Sequence, residues 1–134
     1  MSNNRLTTRT LAVRGGLAVA LSLFLNYLLL TIILQLELVA TYDHLAYPPV
    51  TLWTTIGVVG ATVAYGVVTR RSNKPERTFV RLVVVVLLLS FIPDVALLVF
   101  DNDATVGAVT ALAILHIPPA AVCIGVLTGR FTIR

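Results

Sequence analysis

Charge is scarce in this sequence. Asp, Glu, Lys and Arg make up 12% of its 134 residues, hydrophobic residues 57%, and the mean hydropathy is +0.94. A soluble domain carries roughly a quarter of its residues as charges, so this chain has about half of what a water-exposed surface needs. Cysteine is scarcer still. Cys123 stands alone, which excludes an internal disulfide, a Cys-x-x-Cys redox centre and a cysteine-built metal site. There is no phosphate-binding glycine loop, no H-E-x-x-H, no nucleophile elbow and no histidine pair for haem or metal. These absences predict a non-enzyme without a cofactor or a metal. The length leaves no room for a second domain, so residues 1–134 read as one unit. The net charge of +4 and the pI near 9.8 would suit a nucleic-acid partner, but the placement of the charges argues otherwise.

What the chain has in abundance is long apolar runs. Residues 15–36 hold no charge and would extend about 33 Å as a helix, enough to cross a hydrocarbon core of roughly 30 Å. A basic start before an apolar run also describes a signal peptide. This run is longer than such a segment, and no small-x-small cleavage site follows it, so it reads as a retained first span. Further spans are expected at residues 50–69, 82–100 and 106–129. The outer loops fall at 37–49 and 101–105, the inner loop at 70–81. Continuous runs without alternation make these helices rather than barrel strands. The fold class is therefore an all-α, four-transmembrane-helix bundle. Within it, Pro48-Pro49 reads as a stop at the end of the first outer loop, and Pro118-Pro119 as an interruption of the fourth span. Tyr42, Tyr47 and Trp53 would form an interfacial aromatic belt. Asp103 or Thr105 can cap the fourth helix.

With four spans, all ten basic residues fall on one side. Arg5, Arg9 and Arg14 precede the first span; Arg70, Arg71, Lys74, Arg77 and Arg81 flank the inner loop; Arg130 and Arg134 end the chain. The outer loops carry Glu37, Asp43, Asp101 and Asp103 and no Lys or Arg. The positive-inside rule places both termini in the cytoplasm of a cell-membrane protein. The basic residues then serve orientation and contact with anionic lipid head groups, and no nucleic acid is implied. So complete a bias also counts against proteins that insert in both orientations.

Each span carries one small or polar face on an otherwise Leu/Val/Ile/Phe circumference. The first shows Ala18, Ser22 and Asn26; the second Thr54, Gly57, Ala61 and Ala64; the third Ser90 and Asp94; the fourth Ala113, His116, Ala120 and Cys123. Small faces let helices approach, and polar side chains then bond across the contact. The stripes of small residues read as packing surfaces, and Gly125-x-x-x-Gly129 matches the helix-dimerisation spacing. Asp94 is the one acid inside a span, set directly after Pro93. An intramembrane carboxylate is costly and marks either a functional site or a neutral, hydrogen-bonded packing residue. His116 is its candidate partner, although helix rise places it about 6 Å deeper. Asn26, Ser90 and Thr54 complete the candidate polar site, with Asn26 also serving as packing glue. Pro93 cannot donate to the Leu89 carbonyl, so helix hydrogen bonding breaks beside the acid.

The motifs S-F-I-P-D (90–94), A-T-V-G-A-V-T-A-L (104–112) and L-H-I-P-P-A-A (115–121) resemble a family of small prokaryotic four-helix membrane proteins labelled only as a domain of unknown function. The resemblance covers most of the chain, and its specific part is the second hairpin, Ser90 to Ala121. It implies the four-span fold, and that Asp94 and His116 belong to a recurring motif; it implies no activity. Two roles follow from the residues. One is structural or partner-binding, in the lipid bilayer, with a second copy or another membrane protein as partner. The other is a proton-linked small-solute transporter or channel using Asp94 with His116 or Asn26.

Overall fold

The structure, a computed structural model, describes residues 6–130. Arg5 and Arg134, counted above towards orientation, lie outside the described residues. The chain forms α1 (Thr8–Gln35), α2 (Tyr47–Arg71), α3 (Pro75–Phe100), α4 (Val106–Leu115), α5 (Ile117–Val122) and a π-helical turn (Cys123–Leu127), with no strand among the described residues. Four stretches are long and apolar enough to cross a membrane: Thr8–Gln35, Tyr47–Arg71, Pro75–Phe100 and Val106–Leu127. The protein is a multi-pass four-helix bundle.

Local chemistry explains the boundaries. The Thr7 side chain accepts the Thr10 amide at 3.1 Å and starts α1; Thr105 does the same for Ala108 at 3.1 Å and starts α4. Pro48 and Pro49 lie in the first turn of α2 rather than closing the loop before it. Amides there have no helical partner to lose, which is why proline suits a helix start. Pro118 and Pro119 likewise lie in the first turn of α5, so the fourth span breaks one step earlier, at His116. The connection between α2 and α3 is shorter than the charge pattern implied. Arg70 and Arg71 complete α2, Pro75 opens α3, and only residues 72–74 lie between. Gly129, at φ +80°, serves the turn that ends the fourth span, a left-handed conformation that glycine adopts without strain.

Helix α1 is the central post. Gly15, Ala18, Ser22, Asn26, Leu30 and Ile33 are its buried residues, three or four apart, one stripe of the helix. At Gly15 the fit is tight: a Cβ there would lie 2.7 Å from Cγ2 of Thr62, whose hydroxyl donates to the Val58 carbonyl at 2.8 Å. Helix α3 is the opposite case. Only Phe79 and Asp94 of it are buried, because its Val/Leu-rich circumference has no small face to admit a neighbour closely. The small stripe of α2 does not close against it either. A Cβ added at Gly57 or Gly60 meets nothing within 4 Å, so this part of the stripe is not a packing contact.

The apolar core is divided. One cluster near the chain termini includes Ala18, Val58, Tyr65, Phe79, Val122 and Leu127; another at the far end includes Leu30, Tyr42, Leu45, Val50, Ala108 and Leu115. Between them lies a polar layer.

Two clasps join the hairpins. At the terminal end Arg14 donates from Nη1 to the Leu127 carbonyl at 3.0 Å, a cation on an unpaired helix-end acceptor. At the far end Tyr42 donates from Oη to Asp101 Oδ2 at 2.8 Å. Tyr42 is 5% exposed, so it is a buried clasp rather than a member of an interfacial belt; Tyr47 and Trp53, at 41% and 66%, are exposed. Tyr47 also pairs its hydroxyl with Thr31 Oγ1 at 2.6 Å and packs edge-on against Tyr27 at 5.4 Å. Burial, then the bond to Asp101, then that carboxylate's charge push the Tyr42 phenol up from 10.0 to about 12. The Tyr42 hydroxyl, followed by the Asp103 amide, holds Asp101 below its ordinary 3.8.

Two outcomes follow. Gly15→Ala should destabilise the bundle by about 1–3 kcal/mol, because Thr62 must leave its bonded position. Gly57→Ala should be neutral or stabilise by about 0.5–1 kcal/mol, as its methyl enters open space. Denaturation in mild detergent measures both. For the far clasp, the lowered Asp101 contributes stability above pH 3.8 that is lost as pH falls through its depressed value. The raised Tyr42 contributes stability below pH 10.0 that is lost as pH rises through about 12. Tyr42→Phe should therefore lower the melting temperature between these limits and narrow its difference from the unmodified chain outside them.

Candidate functional site

The polar layer is where the intramembrane candidates gather. Asn26 and Thr54 face each other across the α1–α2 contact, and Asn26 Nδ2 donates to Thr54 Oγ1 at 2.9 Å. Both are buried, Asn26 to 1% exposure. Its other amide atom, Oδ1, is buried without a hydrogen-bond partner. On the other side of the layer, His116 Nδ1 lies 3.2 Å from Asp94 Oδ2. The depth difference read from helix rise does not keep them apart. His116 stands in the break between α4 and α5 rather than on a continuous helix, its amide bonded to the Ala113 carbonyl three residues back. Its direction is thus released from the register of α4.

The Asp94–His116 contact is close in distance but incomplete in angle, and neither Nδ1 nor Oδ2 makes a full hydrogen bond. Asp94 is 8% exposed as a residue, while the His116 side chain is 37% exposed and meets the Phe91 ring edge-on at 6.2 Å. Ser90, one turn before Asp94, donates to its own helix at the Leu87 carbonyl, 2.6 Å away. That bond turns the hydroxyl proton away from Asp94 and leaves its oxygen as an acceptor.

All five residues, Asn26, Thr54, Ser90, Asp94 and His116, line one cavity of about 710 Å³ between α2, α3 and the broken fourth span. Its walls are apolar and small: Gly57, Gly60, Ala61 and Ala64 on α2, Leu82, Val83, Val86 and Leu87 on α3. Two other contributors, His44 and Trp53, were not legible as such, whereas Cys123 stood on the polar face expected of the fourth span. His44 reaches the cavity from the loop between α1 and α2, Trp53 from the start of α2, and Cys123 from the π-helical turn. The signal for His44 was slight: Tyr42 and Leu45 on either side are buried apolar anchors that fold the loop over the bundle, and no periodicity extends to a loop.

Chemically the arrangement offers one carboxyl group, an adjacent imidazole and an amide oxygen in a space shielded by apolar side chains. Among the described residues no group of three or more His, Cys, Asp or Glu side chains is placed to hold a metal ion. The site can take up a proton or a hydrogen-bond donor.

A family of unknown function (DUF6069) matches residues 2–132, and the chain belongs to it. No curated protein and no solved structure matches the chain.

The Asn26–Thr54 bond is open to a direct energetic test. Thr54→Val keeps the shape but leaves the buried Asn26 amide without an acceptor, and should cost about 1 kcal/mol. Asn26→Leu combined with Thr54→Val should be less damaging than the two single changes summed, since removing both partners leaves no orphan. A double-mutant cycle by chemical denaturation gives the coupling, expected at about 0.5–1.5 kcal/mol.

Proposed function

We propose that this membrane protein binds a proton at the Asp94–His116 pair and couples it to a small solute in the adjoining cavity, as a proton-linked transporter. One observation carries the reading: the intramembrane acid is not sealed in a dry helix contact but lines a cavity of about 710 Å³. A carboxyl group that serves packing alone belongs in a closed contact, fully hydrogen-bonded. Asp94 has an imidazole at 3.2 Å that can share or relay its proton, and a buried oxygen that packing leaves without a full bond. The cavity lies in the size range of small-molecule sites, roughly 300–1,000 Å³. The role is non-enzymatic and needs no metal or cofactor. The distribution of basic residues supports insertion in the cell membrane with both termini cytoplasmic.

A second reading, association with another copy or another membrane protein, draws on the open flank of α2. Gly57 and Gly60 have no neighbour there, and small faces of this kind favour helix–helix contact.

Infrared difference spectroscopy separates the two. Under the transport reading, reconstituted protein shows a carboxyl band that changes with the pH of the bathing solution, exchanges in deuterated water and disappears in Asp94→Asn. A band indifferent to pH and to deuterium, in a protein that Asp94→Asn merely destabilises, overturns that reading and leaves association standing.

A further inference from the structure

The cavity has a composition that specifies more than a proton. Its walls expose Trp53 and Ile56 in the first half of α2 and Leu82 and Val86 in the first half of α3, at 66%, 51%, 37% and 54%, and because the two helices run antiparallel this exposed edge extends along the length of the spans. It therefore opens sideways between α2 and α3, towards lipid. The floor bears two buried oxygens that make no full hydrogen bond, Oδ1 of Asn26 and Oδ2 of Asp94, the latter beside the His116 imidazole at 3.2 Å, on residues 1% and 8% exposed. Both are acceptors. No Lys or Arg lines the cavity, and the titratable groups facing Asp94 there are His116, His44 and Cys123.

A carboxylate without a permanent counter-ion, at the end of an apolar trough, calls for a cation with an apolar body. From these observations we infer that the cavity takes a lipophilic amine, entering from the bilayer between α2 and α3. Its ammonium group donates to Asp94 and Asn26 while its apolar body lies along Gly57 and Gly60. An ammonium supplies donors only, which matches an acceptor floor. A neutral alcohol would satisfy one acceptor and leave the carboxylate uncompensated; an anion would be repelled. Proton and amine then compete for one carboxylate, the requirement for exchanging one against the other. The inference rests on the transport reading above and adds its substrate class.

Trp53 is the sole tryptophan and lines the cavity, so its emission reports occupancy. The full chain, in nanodiscs of uncharged phosphatidylcholine, is titrated with 4-phenylbutylammonium and, separately, with 4-phenylbutanol. The ammonium should bind about tenfold or more tightly than the alcohol, a difference of about 1.4 kcal/mol. Its affinity should fall about tenfold per pH unit once Asp94 takes up its proton. Asp94→Asn should erase the preference and keep alcohol binding. Gly57→Leu, whose Cβ enters open space at the trough wall, should weaken both probes. Equal affinities, binding that Gly57→Leu leaves unchanged, or no Trp53 response to either probe overturns the inference. The infrared band in the same sample tells the two failures apart. If Asp94 titrates while the ammonium fails to bind, the substrate class is wrong and transport survives; if Asp94 does not titrate, both fall.

Discussion

Hydrocarbon has no hydrogen bonds to offer and, being as apolar as leucine, gives helices no hydrophobic reason to associate. What brings spans together in this chain is therefore shape and polarity on a few faces. Helix α1 has both: Gly15 admits α2 at Thr62, Ala18 joins the core cluster with Val58 of α2 and Val122 of the fourth span, and Asn26 bonds to Thr54. Helix α3 has neither along most of its length, and is held by Phe79 near one end, Asp94 two turns before the other and the Tyr42–Asp101 clasp beyond its last turn. The cavity follows from this inequality. Where a small face meets a Val/Leu-rich one, the helices cannot close, and the polar layer is left with an open side.

The division of the core has a related cause. Apolar clusters at the two ends clamp the bundle, so the layer of Ser22, Asn26, Thr54 and Asp94 is placed by its neighbours and not only by its own bonds. That leaves Asp94 and Asn26 with oxygens not committed to packing. A site that must change partners needs such groups, whereas a fully bonded network resists exchange.

How much of this was legible in the sequence depends on the physics involved. Hydropathy and helix rise are local properties, so the four spans and the basic-to-acidic alternation of the loops could be read directly. The five polar candidates could be named because polarity in an apolar run is conspicuous. Their pairing could not: whether His116 meets Asp94 depends on where the fourth span breaks, and the prolines mark that break only to within a turn. Pro48-Pro49 and Pro118-Pro119 show the same ambiguity, since proline both ends one helix and suits the start of the next. The roles of Tyr42 and His44 were hidden for another reason. Loop residues carry no period, and Tyr42 satisfies belt statistics as well as it satisfies a buried bond to Asp101. Gly57 was misleading because a small residue permits close approach without enforcing it.

The sideways opening between α2 and α3 has one further consequence. A groove bounded by protein on two sides and its floor is closed on the remaining side by acyl chains, which makes the bilayer itself a structural component of the chamber. Its lateral pressure and thickness act on α3, the least anchored helix, as mechanical loads. The same polypeptide in a thin, fluid membrane and in a thick, ordered one then presents chambers of different width, and a change of lipid becomes equivalent to a change of sequence in the wall.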